Sequence, residues 1–354
     1  MYLEIANLLR RCASEVNPFT PAMLGAFFGL PERHFSQESA NGPVLFHQAG
    51  SIQPVAYVLR GTIFWPDNRR IVRGYPRILP SSDYTPERFA ITEERHVFMA
   101  VREGEAVVER KEGGVTIRLY HHGDYFYCAT NDVYDGGNPL VGAGIENVRS
   151  LGIDYGAQAG RLLESAYKGA MNLASIGYVP VFEMLLPELE TAVPAHRPDM
   201  ILIDVIEPDF TFADRLEKER IAEDYGLKVV ASEGRLQGLA TEGAFFKRLR
   251  GLEHEATRQG IAGFVVKGRV GDSDQVFLKT EPASVREHSP ALPQSDLWAV
   301  YETIAEEFAA EPLTDPLFVE ELMLDYIGDH SRSVRWQVQD FLAANPAGER
   351  AEPG

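Results

Sequence analysis

The chain has 354 residues, enough to bury a sizeable core in two or three domains. It carries 34 Lys and Arg against 52 Asp and Glu, a net charge of −18, which excludes a basic coat for non-specific nucleic-acid binding but leaves room for a local basic groove. No apolar run approaches the ~18 residues of a membrane span.

The amino terminus lacks a basic-then-apolar leader with a small-residue cleavage site. Cys12 and Cys128 are too far apart for a CxxC pair, so neither a zinc site nor a disulfide framework is indicated. A reducing, cytoplasmic location without membrane contact is expected.

Residues 1–50 read as a short helix followed by irregular sequence punctuated by proline and glycine. Two β-rich runs, Val55–Trp65 and Arg69–Arg73, flank a Pro66-Asp67-Asn68 turn and predict a hairpin. Arg69, Arg70, Arg73 and Arg77 crowd its second arm, either as a solvated face or as an anion-binding wall suited to the planar guanidinium. From Val97 the pattern predicts a meander of strands Val97–Arg102, Ala106–Arg110, Val115–Tyr120 and Tyr125–Thr130. His121 and His122 stand at its last turn, but adjacent strand residues face opposite ways, which argues against a metal site there.

The chemistry concentrates between Val107 and Arg118. Lys111 ends an apolar strand, Gly113 and Gly114 follow, and Arg118 stands seven residues after the lysine. Burial of the strand end would lower the lysine pKa from about 10.4 and turn its amine into a nucleophile. The glycines would let the backbone approach a phosphate with no side chain in the way. Arg118 could hold a phosphate or ribose oxygen. The same Lys-Glu-Gly-Gly sequence also makes an ordinary hairpin with a surface lysine. Neither a Walker-type phosphate loop nor a dinucleotide-binding glycine fingerprint is present.

Further on, the spacing predicts a helix over Arg161–Ser175 and a strand over Tyr178–Leu186 that carries Phe182 and Glu183. A strand over Met200–Ile206 carries Asp204, and a charged helix over Phe212–Tyr225 leads to a short strand, Leu227–Ala231. A helix over Thr241–Arg258 precedes strands Ala262–Lys267 and Gln275–Thr280, which end near Lys267 and Lys279. Carboxylates within core strands are costly unless paired or bound to a cation. Glu183 and Asp204 are therefore functional candidates or partners of Lys or Arg. From Pro290 the pattern turns helical, with Leu297, Val300, Ile304 and Phe308 on one stripe and Val334, Val338, Phe341 and Leu342 on another.

A strand-end lysine, a following arginine, a Phe-Glu strand and two further strand-end lysines fall in the order of motifs I, III, IV and V of the covalent nucleotidyltransferases. This is the superfamily of ATP-dependent ligases and RNA capping enzymes. The chain resembles in particular the archaeal-type, homodimer-forming ATP-dependent RNA ligases. In that family a Lys-x-Asp/Asn-Gly-x-x-x-Arg motif follows a hairpin of the type EGT-hydrophobic … VVRGFPKI. The corresponding stretches here run from Leu59-Arg60-Gly61-Thr62 to Phe64 and from Ile71-Val72-Arg73-Gly74 through Tyr75-Pro76-Arg77 to Ile78.

The resemblance implies an α+β chain. Its parts would be an N-terminal segment (1–54), a nucleotidyltransferase domain (55–285), a helical C-terminal domain that forms a homodimer (286–345) and a disordered tail (346–354). The catalytic domain would have the ATP-grasp-like ligase fold of antiparallel sheets with flanking helices. ATP, Mg2+ or Mn2+, and RNA ends are the implied cofactors and partners. Lys111 would take AMP from ATP and pass it to a 5′-phosphate, which a 3′-hydroxyl then joins in RNA repair. Lys267 and Lys279 would act on the α-phosphate, Glu109 would contact adenine and Arg118 would hold the nucleotide. Phe182 would stack on the base, and Glu183 would bind ribose or the metal.

The chain departs from the family's pattern where Gly113 replaces the Asp or Asn and Ala262 replaces the metal-binding Glu of motif IV. Thr130-Asn131 likewise stands where a Ser/Thr-Arg pair belongs. These losses keep a second expectation open: a non-catalytic or regulatory protein on the same scaffold that binds a nucleotide or an RNA end without turnover.

Overall fold

The computed structural model describes residues 4–37, 39, 41–46, 54–76, 78, 93–103, 106–131, 134, 155–187, 195, 197–269, 275–282, 294–308, 316–327 and 332–345. The first part contributes α1 (Ile5–Glu15), α2 (Pro21–Phe28), β1 (Phe35–Gln37), β2 (Val44–Phe46), α3 (Pro54–Leu59), β3 (Ile63–Trp65) and β4 (Arg70–Val72). Its sheet runs β1-β2-β3-β4. Next come α4 (Glu93–Glu103), β5 (Ala106–Lys111), β6 (Val115–His122), β7 (Tyr125–Ala129), α5 (Tyr155–Leu163) and α6 (Tyr167–Ser175). They are followed by β8 (Val179–Leu185), β9 (Asp199–Ile206), α7 (Arg215–Tyr225), β10 (Ser232–Leu236), α8 (Glu242–Gln259), β11 (Gly263–Gly268) and β12 (Val276–Thr280). The two larger antiparallel sheets are β10-β5-β11-β12 and β7-β6-β8-β9. Last, α9 (Gln294–Glu307), α10 (Pro316–Ile327) and α11 (Arg332–Ala344) pack on one another around Leu297, Trp298, Ile304, Met323, Val338 and Phe341. The fold class is thus α+β, antiparallel sheets with flanking helices.

Strand alternation sets the layers. On β6 and β8, Ile117, Leu119, Phe182 and Met184 face Tyr155, Leu163 and Leu173 of the helices. On β5 and β11, Ala106, Val108, Phe264 and Val266 face Val97 and Val101 of α4 and Phe245 and Leu249 of α8. The other faces of the two sheets share one inner cluster, which Val181, Ile203, Val265 and Phe277 join. Into that inner layer the alternate positions bring charge: Glu109, Arg118, Glu183 and Lys267, all buried. Each fully buried large apolar side chain contributes about 1.5–3 kcal/mol. The outer faces thus supply the stability that lets the inner faces hold charge.

Several sequence expectations change. Val97–Arg102 is helix, within α4, where Val97, Ala100 and Val101 are buried at helical spacing. A short apolar run has too little periodicity to choose between helix and strand. The run Val55–Leu59 is likewise helical in α3, and the hairpin is only Ile63–Trp65 with Arg70–Val72. The meander is broken at its centre. β5 pairs with β10 and β11 while β6 pairs with β7 and β8, so residues 112–114 cross between sheets instead of closing a hairpin. Leu227–Ala231 contributes an isolated parallel bridge, Leu202 to Val229, and the helix expected over Arg161–Ser175 is divided at Glu164–Ala166.

The arginines around the hairpin do not form one surface. Arg73 is 2% exposed, lies 4.4 Å over the Phe212 ring and donates to the Phe210 carbonyl. Arg69 donates to the Val16 carbonyl at 3.0 Å. They are packing groups, neither a solvated face nor an anion wall. Arg77 and the tail 346–354 lie outside the described residues. Cys12 and Cys128 are buried and free, and among the described residues no helix is long and apolar enough to cross a membrane.

Candidate active site

Lys111 ends β5 opposite Gly263 of β11. The chain then crosses to the second sheet, and the amides of the crossing converge on Glu183 of β8. Glu112 N donates to Oε2 at 3.2 Å, and Gly113 N and Gly114 N donate to Oε1 at 2.9 and 2.7 Å. Both glycines are required. Gly113 has φ +83°, and a Cβ on Gly114 would lie 2.3 Å from the Met184 carbonyl oxygen. The anion held by this nest of amides is therefore a carboxylate of the same chain, where the sequence pointed to a phosphate.

Lys111 Nζ lies 3.5 Å from Glu281 Oε1, and Glu281 Oε2 lies 3.0 Å from Lys279 Nζ. Burial favours the neutral amine, but the carboxylates of Glu281 and Glu183 outweigh it and hold the Lys111 pKa above its ordinary value. The depressed pKa expected from sequence is thus corrected: without a ligand, Lys111 is a paired ammonium. Glu281 is 7% exposed and was not singled out from sequence. The available signal was its place two residues after Lys279, on the same face of the extended chain.

Glu109, two residues before Lys111 on the same strand, is 2% exposed. Its Oε2 lies 2.6 Å from Lys267 Nζ, while its Oε1 lies 2.6 Å from Lys218 Nζ and 2.8 Å from Arg215 Nη1. Burial pushes this carboxyl up, but Lys267 and Lys218 overcome burial and hold its pKa at about 2. Asp204, fully buried, accepts from Tyr75 Oη at 2.6 Å and Lys267 Nζ at 2.7 Å. Both lysines also donate to the Ile203 carbonyl, Lys218 at 2.7 Å and Lys267 at 2.8 Å. That residue is free of the ladder because β8 and β9 slip register. Val181 opposes Asp204 and Phe182 opposes Leu202, leaving Ile203 as the extra residue of a bulge.

Burial and the neighbouring Lys267 lower the Lys218 pKa to about 8. Burial also opposes charge on Lys267, but Asp204 and Glu109 raise its pKa above the ordinary value. Lys218 escaped the sequence reading because α7 looks like a solvated, charged helix. The signal was its spacing from Ile221 and Ala222, with which it shares the buried face.

Two expected ligand contacts are corrected. Arg118 is fully buried, donating from Nη1 to the Arg73 carbonyl at 2.9 Å and from Nη2 to the Gly61 and Thr130 carbonyls at 2.7 Å each. It ties three chain segments together and does not line the cleft. Replacing it with methionine should leave three buried acceptors without their donor and lower stability by about 3 kcal/mol or more. A urea midpoint unchanged from wild type would contradict this. Phe182 is fully buried among the helix-facing core residues, on the opposite face of β8 from Glu183. A base could stack on it only if that core opened.

The structure does bring Lys111, Glu109, Glu183, Lys267 and Lys279 to one cleft of about 290 Å³. Gly113 and Ala262 lie against each other, since a Cβ on Gly113 would lie 3.0 Å from the Ala262 Cβ. Glu281 packs against the following residue: a Cβ on Gly263 would lie 3.2 Å from the Glu281 Cγ.

No family model matches the chain, and no curated protein matches it. Among solved structures it is similar to a candidate ATP-dependent DNA ligase from Aquifex aeolicus, at 17% identity and a TM-score of 0.49, over 92% of this chain and 74% of that one. It is similar to an archaeal ATP-dependent RNA ligase at 15% identity and a TM-score of 0.46, over 94% of this chain and 84% of that one. A variant of Naegleria gruberi RNA ligase with ATP and Mn gives 13% identity and a TM-score of 0.40, over 62% and 64% of the two chains. These three solved structures are of DNA and RNA ligases.

Proposed function

We propose that this protein is an ATP-dependent ligase of RNA ends that works through a lysyl-adenylate on Lys111. One observation carries the reading: Glu281, packed against Gly263 next to Ala262 in sequence, brings a carboxylate within 3.5 Å of the Lys111 ammonium. ATP in the cleft would present its α-phosphate to Lys111 beside Lys267 and Lys279. Those ammonium groups would stabilise the charge that develops on the phosphate oxygens. Lys111 attacks only as an amine: its ammonium would first give one proton to Glu281, and as the N–P bond forms and the Pα–O bond breaks the second proton would leave with pyrophosphate. AMP would then pass to an RNA 5′-phosphate, and a 3′-hydroxyl would displace it.

The donors suit a hard cation. Glu183 and Glu281 place carboxylate oxygens beside Lys111, the ligand class that magnesium and manganese take. Among the described residues no group of three or more His, Cys, Asp or Glu is placed to hold a metal. This fits a cation that comes with the triphosphate and keeps several waters. Bound there, it would neutralise phosphate charge.

A second reading, a nucleotide-binding or RNA-end-binding protein without turnover, draws on the paired Lys111 ammonium and on the missing polar groups at Gly113 and Ala262. Incubation with ATP labelled on the α-phosphate and magnesium separates the two. Label is expected on the denatured wild-type chain and absent from Lys111→Ala. ATP binding without label, over a range of metals and pH, would establish the second reading instead. Affinity for RNA should fall steeply with salt if the chain neutralises several phosphates.

A further inference from the structure

As it stands, Lys267 is surrounded by acceptors of its own chain. Its Nζ donates to Asp204 Oδ2 at 2.7 Å and to the Ile203 carbonyl at 2.8 Å, and lies 2.6 Å from Glu109 Oε2. An ammonium group has three N–H donors. Two are occupied by hydrogen bonds, and the Glu109 carboxylate takes the remaining side of the nitrogen. A phosphate oxygen can therefore engage Lys267 only if one of these contacts gives way. The Glu109 contact is the one to yield, because Glu109 Oε2 accepts no hydrogen bond while the other two contacts are hydrogen bonds. Releasing a buried carboxylate is costly unless another cation stays with it.

Each of the three groups has a second donor, and one side chain serves all of them. Lys218 Nζ lies 2.6 Å from Glu109 Oε1, 2.7 Å from the Ile203 carbonyl oxygen and 3.5 Å from Asp204 Oδ1. On both carboxylates it meets the oxygen that Lys267 does not use. Arg215 supports Glu109 Oε1 at 2.8 Å and Tyr75 Oη supports Asp204 Oδ2 at 2.6 Å, but each reaches a single one of the three. Lys218 is 1% exposed and is not among the described residues that line the Lys111 cleft. Its action on a ligand there must pass through a neighbour.

We propose that Lys218 is a positioning residue for nucleotide transfer: it keeps Glu109, Asp204 and the Ile203 carbonyl compensated while Lys267 turns an N–H from Glu109 to the α-phosphate. The exchange replaces one contact of Lys267 by another, and no proton leaves either lysine. This role rests on the ligase reading.

The test follows α-phosphate label from ATP onto Lys111 in wild type, Lys218→Met, Lys218→Arg, Lys267→Met and Lys218→Met/Lys267→Met, with a melting curve for each. The second-order rate of labelling should fall about ten-fold or more in Lys218→Met and return to within about three-fold of wild type in Lys218→Arg, which restores the charge. In the Lys267→Met background, adding Lys218→Met should change the rate by less than about two-fold, because the residue it acts through is gone. An equal loss in both backgrounds, or no loss in Lys218→Met, overturns the proposal.

If Lys218→Met fails to fold, or Lys267→Met leaves no measurable label, the pH profile decides. Glu109, Asp204 and Lys267 face Lys218 from three strands, Arg215 lies beside it on α7, and burial and Lys267 lower its pKa to about 8. Labelling of wild type should therefore fall above about pH 8, and Lys218→Arg, charged throughout, should keep its rate there. Identical profiles overturn the proposal. Wild type that binds ATP without labelling fails the ligase reading alone; the same variants and pH comparison are then read in ATP affinity by calorimetry, with the same fold-changes expected. Wild type that binds no ATP overturns both.

Discussion

Replacing Glu109 with alanine should lower stability by about 3–5 kcal/mol, because Lys218 and Lys267 are left to share the single carboxylate of Asp204 and Arg215 keeps only Glu219. Lys218 and Lys267 are 1% and 5% exposed, so water cannot take over the role of the missing charge. The melting temperature should fall by roughly 10 °C. Glu109→Gln should fall between the two, since the amide oxygen still accepts one hydrogen bond but carries no charge. The pH dependence has a definite sign. The folded-state pKa of Glu109 is about 2, below its ordinary 4.5, so its stabilisation is complete above about 4.5 and lost as pH falls through 2. The difference between wild type and Glu109→Gln should therefore shrink over that interval. A constant difference across it would show that Glu109 does not act through its charge.

Glu281→Gln should change the reactivity of Lys111 in two opposite directions. Without the Glu281 charge, burial has only Glu183 to oppose it, so the Lys111 pKa falls. The neutral fraction near pH 7 rises about ten-fold for each unit of that fall. Acylation of Lys111 by an amine reagent, followed by mass spectrometry of its peptide, should accelerate accordingly. Label transfer from ATP should instead slow by about a hundred-fold or more, because the group that takes the proton is gone. Faster acylation with slower transfer is the signature of a proton acceptor. If both rise together, Glu281 only restrains the lysine; if neither changes, the 3.5 Å ion pair has no chemical role.

The sequence marked Lys111, Lys267 and Lys279 as strand-end lysines and Glu183 as a costly carboxylate within a core strand, and Glu109 was named through the resemblance alone. Lys111 and Glu109 lie two apart on one strand, while Glu183, Lys267 and Lys279 end or occupy apolar strands, and all five reach the same cleft. Alternation also contained a warning about Phe182 and Glu183. Adjacent residues of a strand face opposite ways, so the two could not both contact one ligand. Arg118 lies on β6 as expected, but its acceptors come from Arg73, Gly61 and Thr130, partners that no local pattern marks. The crossing at residues 112–114 was illegible for a similar reason. A Gly-Gly turn reads the same whether the next strand pairs with the last or leaves for another sheet, and the deciding carboxylate, Glu183, comes from a distant strand. Glu281 lies past a strand end and Lys218 on a polar helix, so neither stood out against ordinary surface charge.

The bulge at Ile203 separates two kinds of genetic change that are usually treated alike. Lys218 and Lys267 both depend on this residue, but only on its carbonyl oxygen. Exchanging the side chain leaves that oxygen in place, and with it the position of both ammonium groups. Deleting the residue removes the irregularity: Asp204 would follow Leu202 directly and keep its inward face, and the shared acceptor would be absorbed into regular pairing. At this position the chemistry is written in the number of residues and not in their identity. In related chains that keep the two lysines, residue 203 should vary among side chains that fit the inner cluster, while the length of the strand should not change.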